Sequence, residues 1–219
     1  MLRKTLSDNQ LFFIPYAILL LFSAIILITV EKGEIHLYTN QYHTAFFDIL
    51  FAFLTYLGDG WFIIIPALIL LFFSLRHSVF LITAYFSTGL VTQILKRIFF
   101  EDVLRPSKLL EDADLYLIEG VDMLSGRSFP SGHATSAFAL FLCLALIAKN
   151  RVIKFLCLIF ACLVAYSRVY LSQHFLIDIS VGSIIGSAGA FFFYVLYYKD
   201  DRRWHEWSIK KAFTHERQA

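Results

Sequence analysis

Three short segments hold the residues that could do chemistry. The first runs from Ser167 to Asp178 and contains Arg168, His174 and Asp178. His174 and Asp178 stand four apart, so on a helix they share one face and can touch. A carboxylate on one imidazole nitrogen fixes the tautomer and makes the other nitrogen a better nucleophile or base. A pair at this spacing also serves as a plain structural hydrogen bond. Arg168, in the same segment, tips the balance, because its planar fork suits phosphate or carboxylate.

The second segment is Phe129-Pro130-Ser131-Gly132-His133, followed by small and apolar residues. Proline fits the first turn of a helix, where its missing N–H is not needed. Ser131 and Gly132 would then present backbone N–H groups at a helix start, which attracts anions, and Gly132 permits close approach. His133 stands at the rim, able to give or take a proton. The bland alternative is a capped helix start with an incidental histidine. The third segment, from Lys96 and Arg97 to Arg105-Pro106, places cations just past an apolar run, where snorkelling side chains are also common. No Cys, His and carboxylate set has metal-ligand spacing, and no cofactor or nucleic-acid partner is expected. Cations, a helix start, one His paired to Asp and one free His fit phosphoryl transfer, in which positioning and positive charge around the equatorial oxygens do most of the work.

These residues must be positioned by elements that live in lipid. Of 219 residues 58% are hydrophobic, 24 are Phe and the mean hydropathy is +0.68, against roughly 45–50% apolar for soluble domains. The expectation is one integral membrane domain over 1–219. A spanning helix needs about 20 largely apolar residues, and six runs qualify: 11–30, 61–75, 78–95, 134–148, 155–171 and 179–198. The second and fourth cover only about 22 Å of a roughly 30 Å core, so the second is expected to begin earlier, within 46–61, and the fourth near Pro130. Arg3 and Lys4 precede the first run as in a signal peptide, but the run is long and no small-x-small cleavage site follows. The fold class is therefore all-α, a six-helix transmembrane bundle with short interfacial helices, one of them within 42–57. The long 96–132 segment reads as a solvated loop. Cys143, Cys157 and Cys162 lie inside apolar runs and read as small buried residues.

With the N-terminus inside, Lys and Arg fall twelve inside against seven outside, as the positive-inside rule favours. The inner set includes Arg202, Arg203, Lys211 and Arg217, and Tyr197, Tyr198, Trp204 and Trp207 suit an inner aromatic belt. Against that trend, the outer cations crowd the same segments that carry the two histidines. Ionisable groups beside apolar runs cost roughly 2.5–3.5 kcal/mol each at mid-membrane, so they call for a function. An ion path would spread such charges through the membrane depth, whereas these gather at one edge.

The sequence resembles the type 2 phosphatidic acid phosphatases, relatives of the vanadium haloperoxidases. That family has a Lys followed at a distance by Arg-Pro, then Pro-Ser-Gly-His, then Ser-Arg-x5-His-x3-Asp. Here Pro130 to His133 is intact, and so is Ser167-Arg168 with His174 and Asp178 at family spacing. The six-span layout also matches, so the resemblance covers nearly the whole chain. One departure is that eight residues, rather than six, separate Lys96 from Arg105, and seven separate Arg97 from it. The resemblance implies that His174 attacks phosphorus and Asp178 orients it, while His133 protonates the leaving oxygen. It further implies that Lys96 or Arg97, with Arg105 and Arg168, holds the phosphate, and that Ser131 and the Gly132 N–H complete the cradle. The implied activity is metal-independent hydrolysis of a lipid phosphate or diphosphate. Candidate substrates are phosphatidic acid, phosphatidylglycerol phosphate, undecaprenyl pyrophosphate and phosphorylated lipid A. A lipid phosphotransferase using the same histidine is the alternative. The implied setting is a bacterial inner membrane, both termini cytoplasmic and the site on the outer, periplasmic face. Oligomeric state is not legible.

Overall fold

The computed structural model describes residues 2–199 together with Trp207 and Lys210. Arg202, Arg203, Trp204, Lys211 and Arg217 lie outside the described residues. Ten α-helices occur among the described residues: α1 Leu2–Asp8, α2 Gln10–Thr29, α3 Lys32–Asn40, α4 Ala45–Leu54, α5 Ile64–Phe73, α6 Leu75–Ile94, α7 Pro106–Leu109, α8 Gly132–Ile147, α9 Arg151–Tyr170 and α10 Leu176–Lys199. Polar residues at the sequence breaks start several of them. Thr44, Ser74, Ser131 and Asn150 each accept a hydrogen bond from the first turn of α4, α6, α8 and α9.

Among the described residues, four helices are long and apolar enough to cross a membrane: α2, α6 with its extension to Phe99, α9 and α10. The α8 helix is shorter because it is the bundle's centre. Residues from Ala134 to Leu146 are buried on nearly every side, as expected of a helix apolar all round. By contrast, α2 exposes Ile14, Ile18, Leu21, Phe22, Ile25 and Ile28, a surface suited to lipid chains.

The expected second span is not one continuous helix. Two shorter apolar helices stand there: α4, continued by a 3₁₀ turn at Thr55–Gly58, and, after a break at 59–63, α5. Ten residues give α5 only about 15 Å. The break falls at Gly58-Asp59-Gly60, where helix propensity is lowest. Non-helical backbone in a membrane protein is tolerated where protein or water satisfies it, and Gly58, just before the break, packs against His133 of α8 and Val164 of α9.

Helix α10 lies close against α8 because Gly182 and Gly186 face it. A Cβ on Gly186 would sit 2.3 Å from the Thr135 carbonyl oxygen, a backbone atom that cannot swing away. Small residues four apart allow this approach in membrane helices. Gly186→Ala is therefore expected to destabilise the bundle by about 1–3 kcal/mol through overpacking. Gly89→Ala, which meets nothing within 4 Å, should be neutral or slightly stabilising. Thermal unfolding of the two variants in one detergent checks the contrast.

Both ends of the described chain gather at one end of the bundle. Lys154 Nζ donates to Asn9 Oδ1 at 2.7 Å, and Arg76 Nη2 donates to the Tyr197 carbonyl at 2.7 Å. The C-terminal ends of α6 and α9 and the N-terminal ends of α8 and α10 meet at the other end. The 96–132 segment covers this second end. It is pinned by Arg105 N–H to the Ser125 carbonyl (2.9 Å), Ser128 N–H to the Val103 carbonyl (2.9 Å) and a reciprocal pair between Asn40 and the Tyr116 backbone.

Candidate active site

At that covered end, the turn between α9 and α10 sets the first constellation. The Arg168 carbonyl accepts from both the Gln173 and His174 N–H groups, at 2.9 and 3.0 Å. Closing the turn this way puts Ser172 in the left-handed region, φ 52°, a strained conformation for a residue with a Cβ. It also fixes how far His174 lies from Arg168, which gives their sequence spacing a physical reason.

His174 and Asp178 meet, although not as neighbours on one helix. The histidine precedes α10, and Asp178 in its first turn reaches back. Asp178 Oδ2 lies 3.3 Å from His174 Nδ1 and accepts from the Phe175 N–H at 2.9 Å and from the Ser128 hydroxyl. A carboxylate there is favoured by the helix dipole. With Nδ1 facing the carboxylate, Nε2 is the nitrogen left for chemistry, and it faces Arg105 Nη1 at 3.4 Å. Burial, reinforced by Arg105, Lys96, Arg168 and His133, holds the His174 imidazole well below the usual histidine range. It is neutral at pH 7.

The cations converge on this nitrogen. Lys96, Arg105 and Arg168 are only 7%, 5% and 8% exposed. Arg105 is braced by the Gly126 carbonyl, the Gln173 carbonyl and Gln173 Oε1. Arg168 Nη1 donates to Thr55 Oγ1 at 2.7 Å, while its buried Nε has no hydrogen-bond partner among the described residues. Buried cations with no carboxylate in salt-bridge contact among the described residues carry a desolvation penalty of several kcal/mol each. A multiply charged anion with several acceptor oxygens is the ligand that offsets this.

Lys96 and Arg97 are separated by geometry. Helix α6 ends in a π-turn, Leu95–Phe99, closed by Phe100 N–H to the Leu95 carbonyl at 3.1 Å. The wider turn faces Lys96 inward, within electrostatic reach of Arg105, Asp178 and Arg168, and leaves Arg97 exposed. Such π-turns often mark functional positions.

Ser131 and Gly132 begin α8. The Ser131 N–H donates to the Asp178 carbonyl at 3.0 Å and its Oγ caps Ala134 N–H, so this serine ties α8 to the start of α10. His133 sits one residue inside α8, among Arg168, Lys96 and Asp59. Its Nε2 lies 2.8 Å from Asp59 Oδ1. Asp59, Ser128, Gln173 and Thr55 were not singled out by the sequence. The only signal for Asp59 was an acid between two glycines in an apolar stretch, and it lies 74 residues from His133.

A family model for the PAP2 superfamily matches residues 77–202, the stretch holding every residue named above except Thr55 and Asp59. The lipid A 4'-phosphatase of Bacteroides thetaiotaomicron is 33% identical over 87 residues, which cover 40% of this chain but only 39% of that protein. Among solved structures, Aquifex aeolicus LpxE matches with a TM-score of 0.66 at 28% identity, covering 74% of this chain and 93% of that one. The transmembrane PAP2-type phosphatidylglycerolphosphate phosphatase of Bacillus subtilis matches with a TM-score of 0.65, covering 87% and 98%. At 21% identity, that second likeness is one of fold.

Proposed function

This chain belongs to the PAP2 superfamily of membrane phosphatases, and on that premise we propose that it hydrolyses a membrane lipid phosphate or diphosphate through a phosphohistidine. The observation that carries the reading is His174 Nε2, with Asp178 behind the ring and Arg105 beside it, in a buried cluster of Lys96, Arg105 and Arg168. Nε2 attacks phosphorus. The bond from phosphorus to the lipid oxygen breaks, its electron pair leaves with that oxygen, and His133 supplies the proton. Water then attacks the phosphohistidine, His133 takes a proton back, and the nitrogen–phosphorus bond breaks to release inorganic phosphate. The three cations and the Gly132 N–H hold the equatorial oxygens, where charge stabilisation contributes most.

Counting the α4–α5 pair as one crossing with α2, α6, α8, α9 and α10, our reading is six crossings, with both ends of the described chain on one side. The positive-inside rule makes that side cytoplasmic and puts the site on the outer, periplasmic face of an inner membrane. Of the four candidate substrates, phosphorylated lipid A comes first, since a protein 33% identical over 87 residues carries that name.

The test is phosphate release by the purified protein from phosphatidic acid, phosphatidylglycerol phosphate, undecaprenyl pyrophosphate and phosphorylated lipid A, each with and without EDTA. Release from at least one, unaffected by EDTA and needing no acceptor lipid, is expected. No release from any, or EDTA inhibition reversed by Mg²⁺, overturns the proposal. The pH profile follows from His174. Its lowered pKa means the neutral nucleophile is present above the folded value and lost only as pH falls through it. The acidic limb of kcat/KM should therefore lie below about 6.5, the ordinary histidine value. Loss of the protonated acid gives the alkaline limb.

A further inference from the structure

The break in the second crossing brings an unassigned carboxylate to His133. We propose that Asp59 is the positioning residue for His133, forming a second Asp–His pair that orients the general acid and favours its protonated form, opposite the His174–Asp178 pair. This rests on the phosphatase reading above.

Several observations converge on it. Asp59 Oδ1 and His133 Nε2 are 2.8 Å apart. The backbone on both sides of Asp59 is fixed for this contact. On one side, Gly58 is packed so closely that a Cβ would lie 2.9 Å from Val164 Cγ1 and 3.1 Å from both Cβ and Cδ2 of His133. The imidazole thus rests on the Gly58 backbone. On the other side, the Tyr85 hydroxyl of α6 donates to the Asp59 carbonyl at 3.0 Å. Both side chains also line a cleft of about 460 Å³ between α6, the break and the start of α8. The helical path is interrupted at 59–63, where this contact is made.

The charged groups facing His133 are Asp59 from the break, Arg168 from α9 and Lys96 from the end of α6, with the His174 imidazole across the site. Of these, only Asp59 is anionic. Burial first, and then the two cations, disfavour an imidazolium at His133, and Asp59 is the group that opposes them. With Nε2–H donated to the carboxylate, Nδ1 is the nitrogen that exchanges the working proton. In the first step the Nδ1 proton passes to the departing lipid oxygen. In the second, the neutral Nδ1 takes a proton from the attacking water. Asp59 stays ionised throughout.

The experiment compares wild type, Asp59→Asn, Asp59→Glu, His133→Gln and the Asp59→Asn/His133→Gln double variant on a lipid phosphate and on p-nitrophenyl phosphate. The aryl ester's leaving group needs little protonation. Asp59→Asn should lower kcat on the lipid substrate on the order of 10²-fold with KM little changed, and move the alkaline limb of kcat/KM to lower pH. On the aryl ester the loss should be several-fold smaller. Asp59→Glu should restore the limb in part. The double variant should be no slower than His133→Gln alone, since the two act as a unit. A merely structural Asp59 would lower both substrates equally and leave the limb in place, which overturns the proposal. So does an additive loss in the double variant, which remains readable if Asp59→Asn lowers the folded fraction, because that fraction is measured and divided out. Wild-type protein that releases no phosphate from either ester overturns this inference together with the phosphatase reading. Active wild type with an unshifted Asp59→Asn profile overturns this inference alone.

Discussion

Replacing His174 with alanine is expected to abolish phosphate release, by on the order of 10⁴-fold or more, while the protein still folds. His174 sits in the α9–α10 turn, whose shape comes from backbone bonds to the Arg168 carbonyl, and those survive the substitution. Removing a neutral buried ring leaves Asp178 with the Phe175 N–H and the Ser128 hydroxyl, so no carboxylate is stranded. Wild-type protein quenched during turnover of a phosphorus-labelled substrate should retain label in an acid-labile, base-stable linkage, as expected of a phosphohistidine. His174→Ala should retain none. Normal turnover by that variant, or label held elsewhere, would remove His174 from the chemistry. The effect is the largest expected because, on the proposed reading, His174 forms the bond to phosphorus that splits one difficult displacement into two.

The second large effect separates two neighbours. Lys96→Met should lower kcat/KM by about 10²–10³-fold, the usual loss when one preorganised donor to a developing charge is removed. Arg97→Ala should stay within a few-fold of wild type. Lys96 is buried with Arg105 and Arg168, and Arg97 is exposed. Methionine keeps the length and apolar stem of lysine, so the bundle should hold. It removes one of three crowded cations, and the variant should unfold at equal or higher temperature. Kinetics of both variants with a fixed lipid phosphate check this. A Lys96→Met protein as active as wild type, with Arg97→Ala impaired, would mean that the π-turn registers the other way when substrate binds.

The two histidine motifs were legible because their spacing is local. The Ser-Arg-x5-His-x3-Asp pattern encodes one helix end, one turn and one helix start, so few arrangements satisfy it. The dyad still differs from the helical pair expected from the spacing, because the turn occupies the position of His174 and Asp178 reaches backward to it. The apolar runs likewise revealed the four long spans. They misled at the expected second span, where hydropathy averages across Gly58-Asp59-Gly60 and does not register the helix break at 59–63.

What the sequence alone determined is the chemistry: two imidazoles, a carboxylate and cations of the right types, carried in apolar surroundings and spaced within segments short enough for local geometry to govern. Only the tertiary structure decided between Lys96 and Arg97, and only it brought Asp59 to His133 and Thr55 to Arg168. A one-residue choice of helix face depends on how α6 ends, and a contact across 74 residues depends on how three helices pack. Neither leaves a periodic or local trace in the order of residues, because side-chain direction and long-range approach are settled by packing rather than by neighbours along the chain.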